Sequence, residues 1–398
     1  MAELLTIEEA QRLILERAQP LRGEPVPLDQ AAGRVLAEPA RAAVDLPPFA
    51  SSAMDGFAVR AADTPGKLPV VFRIAAGRPA PRAVASGEAM GIATGGVVPE
   101  GADAVIPFEY VVEHDNEVEI ASAVEPGANV RPRGGDLRAG DEVVPVGVRL
   151  GPAHLGALAA AGVSEVVCGA VPRAAVLATG TELRRPGEPL EPGEVYEANG
   201  LILVAQLASA GASVERLAAV ADDEDAHREA LVRGLEHDVL VTSGGVSVGP
   251  HDLVRRVESE LGVDEVFWRV AVKPGKPVSF GVRGRTLVFG LPGNPVSSLV
   301  GFELFVRPAV LALQGQADPS PRFEPGRLAA AAQRNADRDQ LVRARTRLAD
   351  DGAIDLEPLA GQESHMIAAA AAADALVLVP RGDGELSAGS QVRYLRLA

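Results

Sequence analysis

The chain has 398 residues, 47% apolar and 23% charged, which are globular proportions and exclude a disordered or coiled-coil protein. Its formal charge of −16 is a poor footprint for binding DNA or RNA through phosphates. A single cysteine, Cys168, excludes an intrachain disulfide and fits a reducing compartment.

The N-terminus, MAELLTIEEA, is acidic and lacks the basic and apolar regions of a signal peptide. The expectation is a soluble cytoplasmic protein that meets neither membrane nor nucleic acid. Thr6 and Glu9 predict a capping box, with Ile7, Ala10, Leu13, Ile14 and Ala18 on one helical face. Short strands and turns follow the run LPPFASSAMDGFAV (46–59) up to about residue 148. A second short helix is predicted over 152–161, its apolar face packing on the first helix. These patterns predict an N-terminal mixed domain of residues 1–45 and 136–171, interrupted by an inserted β-rich domain over 46–135.

Residues 172–318 alternate strand and helix: strands at 173–179, 214–220, 238–243 and 265–272, two short ones at 279–282 and 286–290, and helices at 201–210, 226–235, 252–261 and 295–313. That alternation predicts a doubly wound parallel sheet with helices on both faces. Ligands of such sheets bind beyond the carboxyl ends of the strands. The last segment, 319–398, returns to β structure and predicts a small barrel or sandwich. In it QLVRARTRL (340–348) alternates, placing Arg343, Arg345 and Arg347 on a solvated strand face.

The chemistry-bearing loops lie at those strand ends. SGGVSVG supplies Ser243, Gly244, Gly245, Ser247 and Gly249, whose hydroxyls and backbone N–H groups suit an anion. LPGNPVSS supplies Pro292, Gly293, Asn294 and Pro295, with Pro295 in the first helical turn. Either loop alone would also serve as an ordinary strand-to-helix turn. Glu182, Asp222 and Asp252 follow three successive strands, a hard-oxygen set suited to Mg²⁺ alongside substrate phosphate; the alternative for each is a helix cap. Lysine occurs only at Lys67, Lys273 and Lys276 against 35 arginines, and two of the three sit in KPGKP. A solvated charge could have been Arg, so the pair reads as a site that needs compact ammonium groups. Carboxylates facing lysines suit a polyanionic substrate whose phosphoryl bond is cleaved. Asp55-Gly56 reads by itself as a hairpin turn. The six histidines make no metal-ligand spacing.

At this point the sequence resembles the molybdopterin molybdenumtransferase family, which includes MoeA and the gephyrin E domain. The resemblance runs nearly end to end, on SSAMDG (51–56), ATGTEL (178–183), SGGVSVGPHD (243–252), FWRVAVKPGKP (267–277), GLPGNPVSS (290–298) and GQESHM (361–366). It implies a homodimer of four-domain subunits whose doubly wound domain is similar to molybdopterin adenylyltransferase. It implies molybdate insertion into the dithiolene of adenylylated molybdopterin, with Mg²⁺-assisted release of AMP. The cofactor would be handed over from an adenylyltransferase and on to molybdoenzymes. Matching positions imply catalytic roles for Asp55 and Thr94, facing the other subunit's cleft, and for Glu182, Asp222, Asp252, Lys273 and Lys276. The same match gives substrate contacts to Pro292, Pro295 and Ser364, and leaves Asp222 and Asp223 hard to separate. The sequence departs from the family pattern at Phe57, Gly135 and Thr181, none of them an acidic or lysine candidate. The competing readings are a molybdopterin adenylyltransferase, a non-catalytic scaffold and a nucleotide-dependent sugar enzyme.

Overall fold

A computed structural model describes residues 4–220, 223–245 and 253–397. Helix α1 (Ile7–Leu15) opens on the expected box: Glu9 N donates to Thr6 Oγ1, and Thr6 N donates to the Glu9 carboxylate. Two orphan first-turn donors are thereby satisfied. Its apolar stripe does not pack on the second helix, α2 (Pro152–Ala160). Ile7, Ala10 and Ile14 instead join the core of the doubly wound domain, beside Leu304 and Leu313. The expected pairing of the two helices fails because α2 buries only Leu158 and offers little apolar surface. That residue packs with Val26, Leu36, Leu150, Val166 and Cys168, where Gly23–Pro27 pairs antiparallel with Glu165–Gly169.

Six strands between those segments form one curled sheet: β1 (Gly56–Val59), β2 (Gly66–Ile74), β3 (Ala89–Ile92), β4 (Ala104–Pro107), β5 (Val111–His114) and β6 (Glu117–Ile120), in the order β4-β1-β3-β2-β6-β5. The curl comes from β2, whose first half pairs with β6 and whose second half pairs with β3. Asp55-Gly56 is not a hairpin turn, because the preceding Ser51–Ser52 pairs with Val130–Arg131 rather than with β1. Gly56 is required for another reason. A Cβ there would lie 2.0 Å from the Ile106 carbonyl oxygen on β4.

The doubly wound domain comprises β7 (Arg173–Ala178), α3 (Asn199–Ser209), β8 (Ser213–Arg216), α4 (Glu224–Gly234), β9 (Val239–Ser243), α5 (Leu253–Glu260), β10 (Asp264–Trp268), then β12 (Ser279–Arg283) and β13 (Thr286–Leu291) after the short β11 (Val272–Lys273). The sheet order is β8-β7-β9-β13-β12-β10, with the first four strands parallel and the β13–β12 and β12–β10 pairings antiparallel. Alternate residues of β7 face opposite layers. Ala174 and Val176 pack with Leu203 and Leu207 of α3, whereas Ala175 and Leu177 pack with Leu231 of α4 and Val257 of α5. The single strand expected over 265–272 is broken at Arg269, whose φ of 85° turns the chain away from the sheet. β11 therefore leaves the sheet to join the next domain.

The long helix expected over 295–313 is α6 (Pro295–Gly301), a π-helical turn (Phe302–Val306) and α7 (Arg307–Leu313). Pro308 has no N–H for the Leu304 carbonyl. Gln11 of α1 supplies the missing donor, at 2.9 Å. Among the described residues, only this stretch is long and apolar enough to cross a membrane, and 83% of its apolar window is buried in the core.

The last domain is a closed five-stranded barrel of β14 (Phe323–Leu328), β15 (Asp339–Leu348), β16 (Ile354–Pro358), β17 (Ala375–Val379) and β18 (Gln391–Arg396), with the short helix α8 (Ile367–Ala370) between β16 and β17. It runs β15-β16-β14-β18-β17 and closes by β17 pairing back onto β15. β11 lies parallel on the start of β15, with Val272 opposite Asp339 and Lys273 opposite Gln340. The arginine stripe is not uniformly solvated. Arg345 and Arg347 are exposed, but Arg343 is 1% exposed. A guanidinium can be buried there because backbone carbonyls accept its hydrogen bonds.

Candidate active site

The strand ends that the alternation singled out converge on one cavity of about 840 Å³. Thr179, Gly180 and Glu182 enter it after β7, Ser243, Gly244 and Gly245 after β9, and Pro292, Gly293, Asn294 and Pro295 after β13. Chain direction explains the convergence: three parallel neighbours end at the same sheet edge. Pro277 of KPGKP, His365 of GQESHM and residues 195–199 also line the cavity.

Glu182 is exposed to this space and folds back over the turn, where a Cβ on Gly180 would lie 2.5 Å from Glu182 Oε2. Gly244 has φ 96°, and a Cβ there would come within 2.6 Å of the Thr179 carbonyl oxygen. Only glycine lets the β9 loop pass so close to the β7 loop. Beneath these loops lies a buried polar network. Asn199, at the start of α3, donates from Nδ2 to Ser243 Oγ at 2.7 Å and to the Gly293 carbonyl at 2.8 Å. Ser298 Oγ donates to the Pro292 carbonyl at 2.5 Å and lies 3.3 Å from Ser243 Oγ. The Gly293 carbonyl can only accept, which fixes the orientation of the Asn199 amide. Its Oδ1 is buried with no hydrogen-bond partner among the described residues.

Lys273 and Lys276 are exposed, and among the described residues neither has an ion-pair partner. Pro295 begins α6 as its sequence position predicts, but the first-turn donor of Val296 is already occupied. It donates to the Ser364 carbonyl at 3.1 Å, and Asn294 Nδ2 donates to Ser364 Oγ at 2.9 Å. Ser364 is thus held against the doubly wound domain from the barrel. Asp55 and Thr94 lie in the curled-sheet domain and do not line the cavity, yet they meet each other: Thr94 N donates to Asp55 Oδ1 at 2.7 Å. Phe57 beside them is fully buried, edge-on to Phe108 at 5.2 Å. Asp222, Ser247, Gly249 and Asp252 lie outside the described residues. Asp223, the other member of the ambiguous pair, caps α4 by accepting from Ala226 N at 2.9 Å.

Four residues escape the sequence reading. Asn199 sits in an Asn-Gly pair at a helix start, where turn chemistry masks a buried tie. Glu197 is 3% exposed, ion-paired with Arg216, and accepts from Gly200 N at 2.6 Å. Arg343 and Gln362 act through backbone groups, which no side-chain motif reveals. Among the described residues, no three carboxylates, histidines or cysteines cluster as a metal site. Of the three expected Mg²⁺ ligands, only Glu182 is described.

Three family profiles cover the chain: "MoeA N-terminal region (domain I and II)" over residues 5–162, "Probable molybdopterin binding domain" over 175–312, and "MoeA C-terminal region (domain IV)" over 325–397. Molybdopterin molybdenumtransferase 2 of Mycobacterium tuberculosis is 36% identical over 403 aligned residues, covering 98% of each chain. The molybdopterin molybdenumtransferase of Haemophilus influenzae is 34% identical, again over 98% of each. The crystal structure of the molybdopterin biosynthesis moeA protein from Pyrococcus horikoshii OT3 superposes with a TM-score of 0.85 at 27% identity, covering 99% of this chain and all of that one. With identity at this level over 98% of both chains and three matching profiles, the chain belongs to the MoeA family of molybdopterin molybdenumtransferases.

Proposed function

We propose that this protein inserts molybdate into the dithiolene of adenylylated molybdopterin and releases AMP, completing the molybdenum cofactor in the cytoplasm. The observation that carries the reading is the convergence of Glu182, the Ser243–Gly245 loop and the Pro292–Pro295 loop on one cavity, with KPGKP and the Ser364 loop at its rim. Two anions, molybdate and a phosphoanhydride, must be held together by a protein of net charge −16. Among the described residues, Lys273 and Lys276 are the local cations free to do so, since the arginines nearby at positions 184 and 216 are ion-paired.

Mg²⁺ fits the donor chemistry of Glu182, with Asp222 and Asp252 completing the set. The capping role of Asp223 supports Asp222 as the second carboxylate. Bound there, Mg²⁺ would neutralise charge on the phosphoanhydride. Asp55 and Thr94, away from their own cavity, would serve the partner's cleft in a homodimer with composite sites. The division into 1–45 with 136–171, 46–135, 172–318 and 319–398 belongs to the same reading. So does exchange of cofactor with an adenylyltransferase and with molybdoenzymes.

The test supplies purified protein with either adenylylated molybdopterin, molybdate and Mg²⁺, or molybdopterin and ATP. The reading predicts AMP and metal-loaded cofactor from the first mixture and no pyrophosphate from the second. Pyrophosphate release would make it an adenylyltransferase. Tight binding without turnover would make it a scaffold.

A further inference from the structure

Arg343 is a fully buried cation with no carboxylate within ion-pair distance among the described residues. Its guanidinium donates to three carbonyls of one short loop: Gly361 O at 2.5 Å, Met366 O at 2.7 Å and Glu363 O at 3.1 Å. Gln362 of the same loop grips the backbone of Arg343 in return. Its Oε1 accepts from Arg343 N at 3.0 Å, and its Nε2 donates to Arg343 O at 2.9 Å and to Leu359 O at 2.7 Å. One position on β15 therefore fastens the whole 361–366 loop to the barrel. The other side of that loop presents Ser364 to Asn294 and Val296, and His365 to the cavity. A few residues earlier on the same strand, Asp339 and Gln340 pair with β11, which ends at Lys273 and leads into the rest of KPGKP.

Removing the guanidinium would leave these three carbonyls without their donor, so the clamp also supports the fold. What only a guanidinium provides is a planar fork of donors that fixes three carbonyls at set positions. We propose that Arg343 is a positioning residue for the reaction: through the 361–366 loop it sets Ser364 and His365 against the Asn294 side of the cavity, in register with the lysine loop on the same strand. Gln362 is its partner in the clamp. The proposal rests on the reading of Ser364 as part of the site.

The test is a double-mutant cycle on AMP release with Arg343→Met, Ser364→Ala and the pair, using exposed Arg345→Met as the control. Arg343→Met is expected to lower kcat/KM at least tenfold, with Arg343→Lys in between, and Arg345→Met to match the wild type. Because both changes act on one loop, the double variant should be no worse than the poorer single within about twofold. Multiplying losses, or a folded Arg343→Met with normal turnover, would overturn the proposal. If Arg343→Met does not fold, Gln362→Ala removes the opposite half of the clamp and takes its place in the cycle. Amide exchange at Val296, whose N–H donates to Ser364 O, reads the loop without reference to any reaction. Faster exchange in Arg343→Met is expected even if the wild type proves to catalyse something else, and unchanged exchange counts against the clamp. Normal turnover in Ser364→Ala would remove Ser364 from the site, and the proposal with it.

Discussion

Asn199 and Ser243 are joined at 2.7 Å, and the same amide reaches Gly293, so one side chain ties the loop after β9 to the loop after β13. The two loops are the floor of the cavity, and their relative position rests on that tie. Asn199→Leu keeps the volume but leaves the Gly293 carbonyl without its donor. It should cost about 1–3 kcal/mol in urea unfolding, and should lower turnover at least tenfold. Full stability with full activity would show that the loops hold themselves.

Glu182→Ala and Lys276→Ala should abolish molybdate-dependent AMP release while leaving the melting temperature within a degree or two, roughly the ±0.5 kcal/mol of ordinary surface changes. Both side chains are exposed, and neither supports the core. Substrate pull-down separates the roles: loss of turnover with retained binding places the residue at the reacting groups.

Asp55→Ala and Lys276→Ala should each be inactive alone, yet recover activity when unfolded together and refolded. In a symmetric dimer with composite sites, random reassociation makes about half the dimers mixed, with one intact site each, or roughly a quarter of wild-type sites. No recovery would mean that Asp55 and Lys276 of one and the same subunit build a site, or that Asp55 belongs to none.

Gly56→Ala drives a methyl group into the backbone of β4, where the neighbouring atom is a carbonyl oxygen at 2.0 Å that no side-chain rotation can move. At least about 1–3 kcal/mol of destabilisation follows, together with displacement of Asp55 from Thr94 N. A wild-type denaturation midpoint would contradict the packing described here.

Asp45 accepts from Ala139 N at 2.9 Å and from Arg133 Nε at 2.6 Å, and these bonds, the Ala139 one foremost, hold its carboxyl below the usual range of 3.8. A carboxylate depressed in the folded state gives stability that is present above its ordinary value and lost as pH falls through the folded value. Stability should therefore drop below about pH 4, with Asp45→Asn showing a shallower acid limb and a lower plateau at pH 7. In the opposite sense, burial pushes the Cys168 thiol up, which disfavours its thiolate. Thiol reagents at pH 8 should label it only as fast as the protein unfolds.

Much of this was readable from the chain because the doubly wound domain declares itself twice, by strand–helix alternation and by glycine loops at strand ends. Those loops line the cavity in the structure. What escaped the reading has a physical pattern. Arg343 alternates like its exposed neighbours Arg345 and Arg347, and only the returning 361–366 loop distinguishes it. Asp55-Gly56 has the composition of a turn, but its glycine answers to a strand packed across it. The break at Arg269 and the π-helical turn before Pro308 follow from contacts with other domains, to which periodicity within a segment is blind.

The account stands most directly on one measurement: a single-turnover assay of AMP release from adenylylated molybdopterin and Mg²⁺, with molybdate titrated from zero. Release that rises and saturates with molybdate, and disappears in Lys276→Ala, is the predicted result. Release at one rate with or without molybdate, unchanged in Lys276→Ala, would contradict it, leaving a phosphoanhydride hydrolase in place of a molybdenum insertase.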